Sequence, residues 1–211
     1  MLRETLSPGE QARAARFHAE RHRTRFIAAH GLMRRRLGSL LNESPAALQF
    51  AEGEHGKPRL EGEAASSGLA FNLSHSGSWA LLGWSSRGEI GVDIELWRHL
   101  NDEAALVRRF FSPAENSAYD ALPAAMRQQG FFECWTRKEA YVKAVGRGLG
   151  LPLDSFDVSF GDHRPARLLR PSAELGSAQQ WSLVGVDVGS GASGAVVLEG
   201  ETCHISQTAD G

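Results

Sequence analysis

Two short stretches hold residues whose types and spacing suit chemistry. The first is Glu89-Ile90-Gly91-Val92-Asp93-Ile94-Glu95. Its apolar residues alternate, so a strand here turns Ile90, Val92 and Ile94 to one face and Gly91, Asp93 and Glu95 to the other. Asp93 and Glu95 are then neighbours, about 7 Å apart at Cα. Two like charges so placed repel each other unless a cation lies between them. A hard divalent ion such as Mg²⁺ suits one or two carboxylates, with phosphate oxygens and waters completing its shell. A solvated acidic strand face is the other reading of the same residues. The second stretch is CWTRKEAYVKAVGRGLG, from Cys134 to Gly150. Good helix formers and a glycine-rich exit predict a helix. Trp135, Glu139 and Lys143 fall at i, i+4 and i+8 and share one face. By itself this is a solvated helix with one Glu-to-Lys pair.

Weaker candidates lie around these two. Asn72-Leu73-Ser74-His75-Ser76-Gly77 sits between apolar runs. There a histidine can donate to a phosphate beside the Ser74 hydroxyl and the turn amides. A Ser/His hydrolase would need a GxSxG elbow, which the sequence lacks. Gly56-Lys57-Pro58 places a lysine where an anion could bind, although GxxxxGK[ST] is missing. Arg13, Arg16, Arg21, Arg23 and Arg25 suit phosphates or an acidic partner. Each of these also has a plain structural reading: turn residues, a surface loop, a solvated basic helix face. Glu115 reads as the back-bonding member of a capping box with Ser112.

The elements that must position these residues follow from the wider pattern. Ser7-Pro8-Gly9-Glu10 predicts a capped helix start, and a helix or helix pair runs on to about Leu41. Between Glu10 and Arg36 there are eight arginines, three histidines and two acids, so this region is strongly basic. A Gly-rich connector, AEGEHGKPRLEGEAASSG, precedes LAFNLSHSGSWALLGWSS, which reads as two strands around a turn. EIGVDIEL is a third strand. NDEAALVRRFFSPAENSAYDAL is helical in two pieces and repeats the Ser-Pro start at Ser112. Beyond the Cys134–Gly150 helix, LPLDSFDVSF, ARLLRP, QQWSLVGVDVG and SGAVVLEG read as strands and turns. The order helix, strands, helix, strands predicts an α+β fold of two similar halves, residues 1–98 and 99–211.

The chain has 211 residues, 42% of them apolar, and a formal charge of −2. That supports a sizeable core and excludes a wholly basic nucleic-acid binder. Cys134 and Cys203 give no disulfide framework and no CxxC metal pair. No secretory h-region and no run of 18 apolar residues is present, so a reducing, cytoplasmic location without a membrane anchor is expected. The tail from Gly200 is polar and expected to fray.

Taken in order, GKP, FNLSHSGSWALLGW, IGVDIE, RFFSPAE and FFECWTRKEAYVKAVGRGL resemble the 4′-phosphopantetheinyl transferases, of the larger single-chain type that activates peptide and polyketide synthetases. The resemblance covers roughly Arg13 to Val158. It implies a pseudo-twofold monomer with its site between two α+β halves. It implies coenzyme A as donor, an apo acyl or peptidyl carrier-protein serine as acceptor, Mg²⁺ (or Mn²⁺) as metal and 3′,5′-ADP as product. It also implies roles. Asp93, Glu95 and Glu139 would hold the metal. Glu139 would also serve as general base. Lys138 and Lys143 would contact the pyrophosphate and assist catalysis, and Asp93, as a metal ligand, would count among the coenzyme A contacts. Ser74 and His75 would meet the 3′-phosphate, and Lys57 the adenine nucleotide. Arg23 and Thr24 would be a nucleotide-contacting pair, and Arg13 a further basic contact. Glu10 stands where relatives often carry a base, so a phosphate contact there would be missing or fall to a neighbouring arginine. The basic N-terminal region and the apolar residues from Met126 to Phe132 would receive the carrier protein. A Mg²⁺-dependent nucleotide or pyrophosphate hydrolase built on the same acids, and a nucleic-acid-binding module using the arginine-rich start, are the competing expectations.

Overall fold

The computed structural model describes residues 1–161, 165–172 and 177–200. Cys203 and the tail beyond Gly200 lie outside the described residues. Helix α1 (Pro8–Ala15) leads into the 22-residue α2 (Glu20–Leu41). Two hairpins follow, β1 (Gln49–Glu52) with β2 (Pro58–Glu61) and β3 (Ala70–Ser76) with β4 (Trp79–Ser85), then β5 (Ile90–Leu96). The second half runs α3 (Glu103–Phe110), α4 (Pro113–Asp120) and the 22-residue α5 (Ala124–Val145). It ends with β6 (Asp157–Val158), β7 (Leu168–Arg170), β8 (Trp181–Val186) and β9 (Ala192–Glu199).

The expected α+β class and the helix-then-strand order in each half are as predicted. The Gly-rich connector differs, because it forms the β1–β2 hairpin, closed by Phe50 opposite Leu60. Its strands are four residues long and carry no alternating pattern, so pairing between them and burial of Leu60 create them. The expected boundary at 98/99 falls just after β5. The antiparallel sheet β5-β9-β8 crosses it, since β5 pairs with β9 along its whole length.

Two helices anchor two cores. Met33 and Leu37 of α2 pack with Leu48, Leu60 and Phe71. Phe131, Phe132, Tyr141 and Ala144 of α5 pack with Phe111, Phe156 and Val197. Each long helix also sends a buried cation to a capping box at the start of a short helix in its own half. Ser7 caps α1 while Glu10 bonds back to its amide, and Ser112 and Glu115 do the same at α4. Arg34 reaches Glu10 at 2.5 Å and the carbonyls of Pro45 and Leu48. Lys138 reaches Glu115 at 2.7 Å and the carbonyls of Leu153 and Phe156. Arg34 lies over the ring of Phe50 and Lys138 over that of Phe156. The same node therefore occurs once in each half, built from the same kinds of parts. Among the described residues no helix is long and apolar enough to cross a membrane.

Candidate active site

Strand β5 and helix α5 touch backbone to backbone. A Cβ at Gly91 would lie 2.1 Å from the Ala140 carbonyl and 2.2 Å from the Ala144 amide. Only glycine permits that approach, and it brings the Gly91-Asp93-Glu95 face of β5 against the Glu139-Lys143 face of α5. The strand's second face is therefore no solvent surface. It confronts a helix, and Asp93 is 5% exposed.

Lys143 Nζ donates to Asp93 Oδ1 at 2.6 Å, to the Ser74 hydroxyl at 3.1 Å and to the Val92 carbonyl at 3.3 Å. Asp93 Oδ2 is buried with no hydrogen-bond partner. Burial raises the Asp93 carboxyl above its ordinary range, against the opposing pull of Lys143 and Ser74. Burial also raises Glu139, helped by the charges of Asp93 and Glu95 and opposed by Lys143. Glu95 accepts from the Ser76 hydroxyl at 2.7 Å and from Arg98 at 2.8 Å.

Two of these groups, Glu139 and Lys143, border a cleft of about 550 Å³. Glu139 and Lys143 line it from α5, His55 and Lys57 from the β1–β2 turn, and Arg109 and Phe110 from the end of α3. Lys57 Nζ bonds to Glu89 at 2.7 Å and to the carbonyls of Ile90 and Ala144, so it ties the turn to both β5 and the end of α5. Burial lowers the pKa of this ammonium, with Glu89 opposing. The Arg109 guanidinium rests on Phe110 at 5.0 Å, and Phe110 meets Trp135 edge-on at 5.6 Å.

The residues singled out in the sequence divide accordingly. Lys57, Glu139 and Lys143 line the cleft, and Asp93 and Ser74 stand directly behind Lys143. His75 is exposed on the strand face opposite Ser74. Arg13, Arg23 and Thr24 do not line the cleft. Arg13 stacks over Phe26, Arg23 binds the Phe17 carbonyl and Glu20, and Thr24 is exposed. Among the described residues no three Asp, Glu, His or Cys side chains converge into a metal site. Lys143 instead holds Asp93, and Glu95 is engaged by Ser76 and Arg98.

Two expectations are corrected. Lys138 is not at the cleft: it is fully buried in the node with Glu115 on the far side of α5. Its helical position shares a face with Cys134 and Tyr141, both fully buried, rather than with Glu139 and Lys143. Nor can the Met126–Phe132 segment present its rings to a carrier protein, since Phe131 and Phe132 are 2% and 1% exposed in the core. His55, Arg109 and Phe110 were not assigned from sequence. The motif RFF beside a Ser-Pro cap carried no signal for which of its rings and cations would face a cleft.

Residues 89–195 match the family described as the 4′-phosphopantetheinyl transferase superfamily, and residues 1–86 match the N-terminal region of 4′-phosphopantetheinyl transferases. The chain belongs to the 4′-phosphopantetheinyl transferase superfamily. It is 40% identical over 183 residues to the 4′-phosphopantetheinyl transferase HetI of Nostoc sp., covering 87% of this chain and 74% of that one. It is 32% identical over 153 residues to the 4′-phosphopantetheinyl transferase Sfp of Bacillus subtilis, covering 72% of this chain and 66% of Sfp. Among solved structures, the Thermotoga maritima holo-[acyl-carrier-protein] synthase aligns with a TM-score of 0.42 at 14% identity, covering 54% of this chain and 64% of that one. The family match joins both sides of the cleft, because the acids of β5 and the helix bearing Glu139 and Lys143 fall in one matched region.

Proposed function

We propose that this chain transfers 4′-phosphopantetheine from coenzyme A to a serine of an apo acyl or peptidyl carrier protein, releasing 3′,5′-ADP. One observation carries the reading. In a chain of this family, the buried acid Asp93 and the cation Lys143 meet across β5 and α5, beside Glu139 at a cleft. The competing hydrolase and nucleic-acid readings have no comparable support.

The residues present suit a divalent cation. Asp93 Oδ2 is buried and unpartnered, and the Glu139 carboxylate lines the cleft beside Lys143. Asp93, Glu95 and Glu139 would hold Mg²⁺ or Mn²⁺ through hard oxygen donors. When bound, the ion would offset the charge of the pyrophosphate during phosphoryl transfer. The protein's own groups do the rest. Lys143 supplies a fixed positive charge at the pyrophosphate and stabilises the departing nucleotide. Lys57, at the nucleotide end of the cleft, holds the turn that carries it against α5. Ser74 holds Lys143 from behind, the exposed His75 would meet the 3′-phosphate from the edge of the hairpin, and Arg13, Arg23 and Thr24 would reach the nucleotide from α1 and α2, outside the cleft lining. The carrier serine oxygen attacks the phosphorus that bears pantetheine, the bond to 3′,5′-ADP breaks, and the serine proton passes to Glu139. A raised carboxyl is better matched to that task than an ordinary one. We read the working unit as a cytoplasmic monomer, its cleft assembled from halves 1–98 and 99–211.

The test is the intact mass of purified apo carrier protein after incubation with this protein, coenzyme A and Mg²⁺. A gain of one phosphopantetheine, abolished by EDTA, is the expected result. Release of 3′,5′-ADP with no carrier present would instead favour the hydrolase.

A further inference from the structure

Strands β3 and β5 run side by side in the same direction yet belong to separate sheets. Side chains replace the missing backbone ladder. Alternate residues of β3 share one face and each reaches across. Asn72 Oδ1 accepts from the Val92 amide at 2.8 Å. The Ser74 hydroxyl donates to Asp93 at 2.8 Å. The Ser76 hydroxyl donates to Glu95 at 2.7 Å and accepts from the Leu96 amide at 3.1 Å. Glycines let the hairpin come this close. A Cβ at Gly77 would fall 2.4 Å from Leu96, and one at Gly83 would fall 2.6 Å from Val92.

Ser74 is also bound by Lys143 and so has two tasks. Ser76 does not line the cleft and has one. Because the Leu96 amide occupies a lone pair of its oxygen, the hydroxyl proton is directed at Glu95. Arg98, more than half exposed, donates to the same oxygen, Glu95 Oε2, at 2.8 Å, so the two donors hold one carboxylate oxygen together. We infer that Ser76 is a positioning residue, which from the strand side fixes Oε2 of Glu95 and so leaves Oε1 for the side of Asp93 and Glu139. The inference rests on the proposed function, in which Glu95 helps to hold a divalent cation.

Hydrogen-bond partners of a metal-holding carboxylate usually change metal affinity about 10- to 100-fold when removed. Mn²⁺ uptake by the full chain, followed by electron paramagnetic resonance with coenzyme A present and no carrier protein, reads this without turnover. Ser76→Ala is expected to weaken Mn²⁺ binding by that factor while metal-free coenzyme A affinity stays unchanged. Ser76→Thr, which keeps the hydroxyl, restores it. Ser76→Cys, close in size but a weaker donor, also weakens Mn²⁺ binding and keeps the test open if Ser76→Ala does not fold. Unchanged Mn²⁺ affinity in folded Ser76→Ala or Ser76→Cys overturns the inference alone. Loss of metal-free coenzyme A affinity in Ser76→Ala also overturns it, making Ser76 a nucleotide contact. A wild-type chain that takes up no Mn²⁺ overturns the inference together with the metal reading.

Discussion

Glu139 and Glu10 show opposite electrostatic design in two carboxylates of one chain. Burial and the charges of Asp93 and Glu95 raise the Glu139 pKa. In the window just above the ordinary carboxylate range, the folded chain then keeps a proton that the unfolded chain has lost. Stability therefore falls as pH rises through that window. Glu139→Gln removes the cost. It is expected to raise the melting temperature at neutral pH and to cut phosphopantetheine transfer by at least about 10²-fold. Thermal unfolding and the mass assay on one preparation check both. Glu10 is the reverse case. Burial raises its pKa, but His30, the Ser7 amide and Arg34 outweigh burial and hold it down at about 2. Its contribution is fully present above the ordinary pKa of 4.5 and is lost as pH falls toward 2. In Glu10→Gln, stability measured by urea unfolding is expected to be lower at neutral pH and to depend less on pH across that window.

At the scale of elements, the capping boxes and the two long helices were legible because their signals are local. Ser-Pro-x-Glu states its own hydrogen bonds, and Gly146, in the left-handed region at φ 73°, ends α5 where the Gly-Arg-Gly exit places it. The strand acids were legible as a pair because alternation fixes their common face. What faces them was not. That β5 pairs with β9 and presses on α5 depends on partners about 100 and 50 residues away, and on Gly91 having no side chain. Lys138 was misread for a related reason: it is adjacent in sequence to a cleft residue but 100° away around the helix. Its structural assignment has a direct check. Lys138→Ala leaves Glu115 buried without its cation and is expected to cost about 3–5 kcal/mol of stability. Coenzyme A affinity of the protein folded at low temperature should be unchanged. A variant with normal stability and weakened coenzyme A binding would return Lys138 to the pyrophosphate.

For the whole molecule, a net charge of −2 conceals a basic α1–α2 surface, with Arg13, Arg16, Arg21 and Arg25 exposed. With Phe131 and Phe132 committed to the core, this surface is the part of the proposed carrier contact that stands. If it meets an acidic partner, the association rate is expected to fall steeply with ionic strength, measured by stopped-flow mixing. The paired nodes have a further consequence. Superposing Arg34 on Lys138 puts Arg35 where the second half has Glu139, and Ser39 where it has Lys143. The repeated scaffold thus offers two equivalent seats but furnishes chemistry at one. The second half carries both the acid and the base at these positions, while the first half has neither, with Arg35 in place of the acid and Ser39 in place of the base. A molecule built twice should therefore count once in a binding titration, with one coenzyme A taken up per chain.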